Sequence, residues 1–287
     1  MSGDSMAATA LLLATLRQAT PLALAALGGL LSERVGVVNI GLEGMMTAGA
    51  FAALWAGQVL GAWAGLGAAL AAGLALGAFH LALAQRLRMD HIISGVAINV
   101  LGLAATTYLL QQLYNRADPP RDARIADPLP IAPFLAAAML LPLLLHWLYT
   151  ATRPGLRMLA VGESPESARM AGIDPGRVRA AGVVLSGALA AAAGACLALA
   201  VVGRFSDGMV GGRGFIALAA VICGRWRPLP TAGACLVFGF FDSLQFQLQG
   251  VAAVPAELLR SMPYLFTILA ALWLRPTPPA ALGRSEE

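Results

Sequence analysis

The stretch Ser32–Ala50, SERVGVVNIGLEGMMTAGA, interrupts an otherwise apolar N-terminal region. Glu33 and Arg34 open it. Asn39 and Glu43 follow four residues apart, with Gly36, Gly41 and Gly44 around them. Runs rich in alanine, leucine and glycine flank it on both sides, long enough to span a bilayer. An ionisable side chain near a bilayer centre costs about 2.5–3.5 kcal/mol on insertion scales. The stretch therefore marks a turn between two membrane spans and a place where polar groups are expected to have a task.

Composition supports the membrane reading. The 287 residues are 59% hydrophobic and 12% charged, with mean hydropathy +0.75, against about 25% charged in a soluble domain. A hydrocarbon core of roughly 30 Å takes about 20 helical residues. Apolar runs fall at about 10–31, 40–59, 61–84, 92–113, 131–150, 180–202, 214–224, 229–249 and 257–274. The expected fold class is all-α: a polytopic transmembrane helical bundle of about 8–9 segments, forming a single domain over 1–287. Pro21 is expected to kink the first span. With no basic n-region or clear cleavage site, that span reads as retained, not as a signal peptide.

All 19 basic residues are arginine. Without lysine there is no Walker A nucleotide site. The arginines lie mostly in short loops, where they set membrane orientation, so the basic pI does not point to nucleic acid. With the N-terminus outside and every segment crossing, twelve arginines fall inside and five outside, Arg213 among the five. Segment 214–224, GFIALAAVICG, is the weak link, since eleven helical residues reach only about 16 Å. It is either half of a broken helix lining a cavity or a re-entrant segment, and the second choice reverses the last two spans.

The longest inside loop, about 151–179, contains GLRMLAVGESPESARMAGID. Ser164 is a helix N-cap, Pro165 suits the first helical position, and Glu166 complements the dipole. Gly172 is a left-handed stop, and Pro175 prevents continuation. Ala168, Ala171 and Gly172 make a small face. The helix either docks into a partner's groove or lies on its own membrane domain.

This loop resembles the cytoplasmic coupling segment of ABC-importer permeases in the branched-chain amino acid, simple sugar and nucleoside group. That group's pattern is filled here by Gly162, Glu163, Pro165, Ala168, Gly172 and Ile173. SERVGVVNIGLEGMM, DHIISGVAIN (Asp90–Asn99) and GGRGFIALAAVICGRWRP (Gly211–Pro228) are similar to segments of the nucleoside and simple sugar subgroup, in the same order. The spacing from Asn39 to Gly44 also fits that subgroup. The resemblance implies a multi-pass permease subunit of the bacterial cytoplasmic (inner) membrane. It also implies a second permease subunit, an extracytoplasmic binding protein, and a partner ATPase that holds ATP and Mg. On that reading the chain is not itself an enzyme and carries no cofactor.

The polar residues within spans are the candidates for a solute path. Asn39 and Glu43 share a helix face at i and i+4. Each has a second reading: Asn39 as a helix-packing amide, Glu43 as a partner of Arg34. The three glycines allow either an unwound backbone or close helix approach. The Asn99 amide suits a base edge or a ribose hydroxyl, or equally an interhelical hydrogen bond. Asp242, Gln245 and Gln249 form an i, i+3, i+7 stripe near Phe238, Phe241 and Phe246, which suits either a solute-facing wall or a subunit interface. Gln249 reads as interfacial. His80, His91 and His146 show no metal-ligand spacing. Trp55, Trp63, Trp147, Trp226 and Trp273 fall near span ends, as interfacial anchors do. GGRG (Gly211–Gly214) is a turn opening the broken helix, outside the membrane. The alternative function is a secondary transporter or channel using Glu43 and Asp242 as coupling charges, which leaves the capped cytoplasmic helix without a task.

Overall fold

The computed structural model describes residues 3–115, 128–248, 261–262, 265–269, 272 and 277–283. The predicted span 257–274 lies largely outside the described residues. So do the arginines and aspartates of the 116–127 loop, Gln249, Trp273 and the side chain of Phe246. Ten α-helices follow one another: α1 Gly3–Glu33, α2 Leu42–Leu60, α3 Ala62–Leu81, α4 His91–Tyr114, α5 Ala132–Ala151, α6 Arg153–Glu163, α7 Pro165–Met170, α8 Pro175–Cys196, α9 Arg213–Cys223 and α10 Pro228–Leu248. Single π-helical turns extend α3 over Ala82–Arg86 and α8 over Leu197–Val201. No strand occurs among the described residues.

Among the described residues, five helices are long and apolar enough to cross a membrane: Ala8–Glu33, Ala62–Arg86, His91–Tyr114, Ala132–Ala151 and Pro175–Val201. The chain is a multi-pass membrane protein. Helices α2 and α10 have comparable length, 19 and 21 residues, but they carry the polar groups Glu43, Thr47 and Gln58, and Asp242, Ser243 and Gln245. α1 is continuous through Pro21.

The centre of the bundle is α8, which packs against α1, α2 and α3. Lipid is as apolar as leucine, so helices in a membrane associate through close packing of small residues. α8 supplies them. A Cβ added to Gly73 of α3 would lie 2.3 Å from the Gly187 carbonyl oxygen, and one on Gly187 would lie 2.2 Å from that of Gly73. One on Gly194 would lie 1.9 Å from the Met46 carbonyl oxygen. The π turn at the outer end of α8 leaves carbonyls without intrahelical donors, and Arg17 Nη2 reaches that of Val201 at 2.7 Å.

The short segment crosses in two halves. α8 and α10 both start on the inner side, so the chain must return between them. Residues 203–212 descend as irregular backbone, and α9 completes the return over about 16 Å. At its far end the Trp226 indole N–H donates to the Glu33 carboxylate, and Arg34 Nε donates to the Trp226 carbonyl at 2.5 Å. The C-terminal end of α9 is thus level with the end of α1. α10 then runs antiparallel to α1, with Ser243 Oγ 3.1 Å from Thr15 Oγ1. Residues 203–223 therefore run from the far end of α8 back to the level of the end of α1, as a crossing segment does and a re-entrant one does not.

Two sequence expectations change. Arg213 and the GGRG turn do not belong to an outer loop. They sit at the deep end of α9, against the start of α2, because a half-helix begins where the irregular half stops. Trp226 is not an interfacial anchor: it is 5% exposed and bonded to Glu33 inside the protein. Trp55, Trp63 and Trp147 do present exposed rings.

The inner loop holds two helices where the sequence showed one. Pro154 stands in the first turn of the additional helix α6, where proline costs no hydrogen bond. Thr152 Oγ1 accepts from the Gly155 N–H at 3.3 Å and caps α6. Helix α7 forms as expected. Ser164 Oγ accepts from the Ser167 N–H at 3.2 Å. Gly172 takes φ +76°, with Gly172 N donating to the Arg169 carbonyl and Ile173 N to that of Ala168. These two bonds are the glycine-terminated stop in full.

Candidate functional site

After Glu33 the chain does not leave the protein. Gly36, at φ +89°, reverses it; Ser32 Oγ donates to the Val37 carbonyl at 2.7 Å. The strand-like stretch to Ile40 then climbs between helices, with Val35, Val37 and Asn39 fully buried. His80 Nε2 lies 3.0 Å from the Val38 carbonyl, and His80 Nδ1 2.7 Å from Ser94 Oγ. A carbonyl only accepts, so Nε2 donates and Nδ1 accepts from the serine. α2 therefore starts deep, and the three glycines divide their work. Gly36 supplies the turn, while Gly41 and Gly44 supply close approach to α4. A Cβ on Gly44 would meet the Ile98 carbonyl oxygen at 2.4 Å.

Each polar candidate can now be placed. Asn39 is completely buried; its Nδ2 donates to Ser186 Oγ on α8 at 3.0 Å, and its Oδ1 has no hydrogen-bond partner. Asn99 Oδ1 accepts the Gly44 N–H at 2.8 Å, and Nδ2 donates to the Ile40 carbonyl at 3.0 Å. Both ends of that amide hold the interrupted entry to α2. The Glu43 carboxylate is not spent on Arg34. Its Oε1 accepts the Gly212 N–H and its Oε2 the Gly214 N–H, both at 2.7 Å. A carboxylate here satisfies orphan donors at a helix N-terminus and complements the dipole.

Asp242 and Gln245 are half-buried on α10, in the outer part of the bundle. The Arg213 guanidinium is within electrostatic range of both Glu43 and Asp242. Its Nη1 folds back to the Val210 carbonyl at 3.1 Å, and its Nε is buried without a partner. Gln18 on α1 likewise buries an unpartnered Oε1. The aromatic neighbours are partly committed: Phe238 is buried with its ring 5.6 Å from that of Phe266, which also meets Phe241 at 5.9 Å. An apolar groove of about 240 Å³ lies elsewhere, between α1, α5 and α10. Leu16, Ala19, Pro142 and Leu236 line it, with Thr20 its polar exception, so it lacks groups to orient a polar solute.

Sequence reading missed Arg213, Gln18 and Ser186. Arg213 carried the one signal that pointed to it, its place between two glycines at a helix start. Gln18 and Ser186 are single polar residues in apolar helices, and only packing shows what they face.

At the inner surface, the coupling candidates split into two groups. Gly162 and Ala168 face the chain itself. A Cβ on Gly162 would lie 2.1 Å from the Arg34 carbonyl oxygen, and Ala168 is 3% exposed. Glu163 accepts from Ala280 N at 3.4 Å, and Ala281 N donates to the Gly162 carbonyl at 2.9 Å. Pro165 starts α7, and Ile173 closes it. Gly172 is exposed, beside Met170 at 84% exposure. Burial pulls the Arg34 guanidinium below its ordinary range, which Tyr149 and Glu163 counter.

Comparison with known proteins adds independent findings. A family profile described as "Branched-chain amino acid transport system / permease component" matches residues 11–272. The guanosine ABC transporter permease protein NupQ of Bacillus subtilis is 38% identical, over 90% of this chain and 89% of its own. The nucleoside ABC transporter permease protein NupC of Lactococcus lactis is 35% identical, over 89% of each. The putative glucose ABC transporter permease protein TsgC13 of Haloferax volcanii is 37% identical, over 85% of this chain and 79% of its own.

Proposed function

Because the chain belongs to the family of branched-chain amino acid transport system permease components, we propose that it is the translocating subunit of an ATP-driven importer for nucleosides. The observation that carries this reading is the similarity to permeases named for guanosine and nucleosides along nearly the whole chain. The bundle supports it. Half-buried Asp242 and Gln245, the Arg213 guanidinium and the unpartnered Gln18 Oε1 offer donors and acceptors for ribose hydroxyls and a base edge.

On this reading the energy-using site is on a partner ATPase, which holds ATP and Mg. The exposed tip of α7, with Glu166, Arg169, Met170 and Gly172, is the surface that partner meets. A second permease subunit and an extracytoplasmic binding protein complete the importer in a bacterial cytoplasmic membrane. A second reading, simple sugar transport, draws on the similarity to the putative glucose permease.

The test is reconstitution of the importer in proteoliposomes with ATP inside. Labelled guanosine is expected to accumulate, with unlabelled nucleosides competing and glucose not. Accumulation of glucose without guanosine would favour the sugar reading. Uptake driven by an ion gradient without the ATPase would overturn both.

A further inference from the structure

The N-terminal end of a half-helix inside a membrane bundle is a seat for an anion. Its amides lack intrahelical acceptors, and the dipole presents positive charge to the low-dielectric interior. Transporters use such ends to hold anionic groups of their solutes. In this chain α9 provides the end, and its seat is already filled. Glu43 takes both the Gly212 and the Gly214 amide at 2.7 Å. The fit is close: a Cβ on Gly214 would come within 2.5 Å of the Glu43 backbone nitrogen, and Gly212 has φ +84°.

The junction is not sealed in the core. Glu43, Gly212 and Arg213 are half-buried, and neighbouring Gly211 and Phe215 are exposed. Arg213 lies within electrostatic range of Glu43 and Asp242, but its Nη1 is turned back onto the Met209 and Val210 carbonyls. A solute reaching this level meets amides that are already occupied.

We propose that Glu43 is a built-in anion plug, a specificity-determining residue that bars phosphorylated solutes from the path while uncharged ones pass. The inference rests on the importer reading, but its test does not depend on which solute is carried. A phosphate monoester entering here must displace a carboxylate that is covalently tethered, already ordered and doubly hydrogen-bonded. A neutral nucleoside or sugar need not.

The experiment compares the assembled importer in lipid nanodiscs as wild type, Glu43→Ala and Asp242→Asn. Thermal unfolding is followed in sulfate or inorganic phosphate against chloride at equal ionic strength. Wild type and Asp242→Asn are expected to show no difference between the anions, because the seat stays filled. Glu43→Ala empties it, and its midpoint is expected to rise by several degrees in sulfate or phosphate over chloride. If Glu43→Ala does not accumulate, Glu43→Gln serves. It retains the volume but offers one acceptor to two donors, so it is expected to show a smaller rise of the same kind.

A variant insensitive to sulfate and phosphate would overturn the proposal, as would an equal response in wild type or in Asp242→Asn. An anion response confined to the Glu43 variants, in an importer that takes up no nucleoside, would leave the plug standing and remove the substrate reading.

Discussion

Asn99 Oδ1 accepts the Gly44 backbone N–H at 2.8 Å, in the first turn of a helix that starts inside the bundle. Its Nδ2 closes the other side of the interruption on the Ile40 carbonyl. One amide therefore replaces two backbone bonds that an unbroken helix would make for itself. Asn99→Ala leaves a donor and an acceptor unpaired, at about 1–3 kcal/mol for each such buried group. Thermal unfolding in detergent is expected to show a clear drop in midpoint. Asn99→Asp keeps the acceptor for Gly44 but sets a second oxygen against the Ile40 carbonyl, so its midpoint is expected to fall at least as far as that of Asn99→Ala.

The α3–α8 crossing has no room for a side chain. Gly73 and Gly187 each sit on the other's carbonyl oxygen. Overpacking a tight contact costs about 1–3 kcal/mol for small additions. Gly187→Ala is expected to lower the unfolding midpoint, and Gly187→Leu to prevent accumulation in the membrane. Gly67, which has open space where a Cβ would lie, is the control: Gly67→Ala is expected to be neutral or mildly stabilising.

The chain after the last span returns to the inner loop. Ala281 N donates to Gly162, Gly283 N to Gly36 at 3.0 Å, and Ala280 N to Glu163. These bonds tie the loop carrying α6 and α7 to the turn that starts the buried climb towards Asn39. Ala281→Pro removes a donor without adding charge. Limited proteolysis of the 151–179 region is expected to speed up, and transport to fall, at unchanged protein level.

Helix α7 separates a structural residue from a docking residue. Ala168→Leu is expected to lower stability, because Ala168 is buried against the chain's own helices. Met170→Glu is expected to leave stability unchanged and to reduce ATP-driven uptake, because an exposed apolar tip is lost. Stability comes from thermal unfolding, and coupling from the ratio of transport to ATP hydrolysis. Equal stability loss in both variants would remove α7 from the coupling surface.

Residue order alone was enough to specify the long helices and the capped inner helix α7. Membrane spans are long runs limited by a fixed bilayer thickness, and caps such as Ser164 and Gly172 act on their own next few residues. For the same reason Arg213 was misplaced: a residue between two glycines after an apolar run looks like loop, and depth is not a local property. The sequence reading placed one helix in the 151–179 loop and did not include α6, whose start has Pro154 in its first turn. The grouping of Asn39, Glu43 and Asn99 as polar residues needing partners was legible, since uncompensated polar groups in a membrane are costly wherever they lie. Their partners were not.

SERVGVVNIGLEGMM by itself fixed that a turn, a glycine-rich interruption and two polar side chains would occur between two spans. Only the tertiary structure decided that the interruption rises into the bundle and that Asn99 closes it from α4. It likewise decided that Glu43 ends on amides 169 and 171 positions away in the chain. The physical reason is that a carboxylate states its need for donors locally. Which donors meet it depends on where a half-helix from the other end of the chain comes to rest.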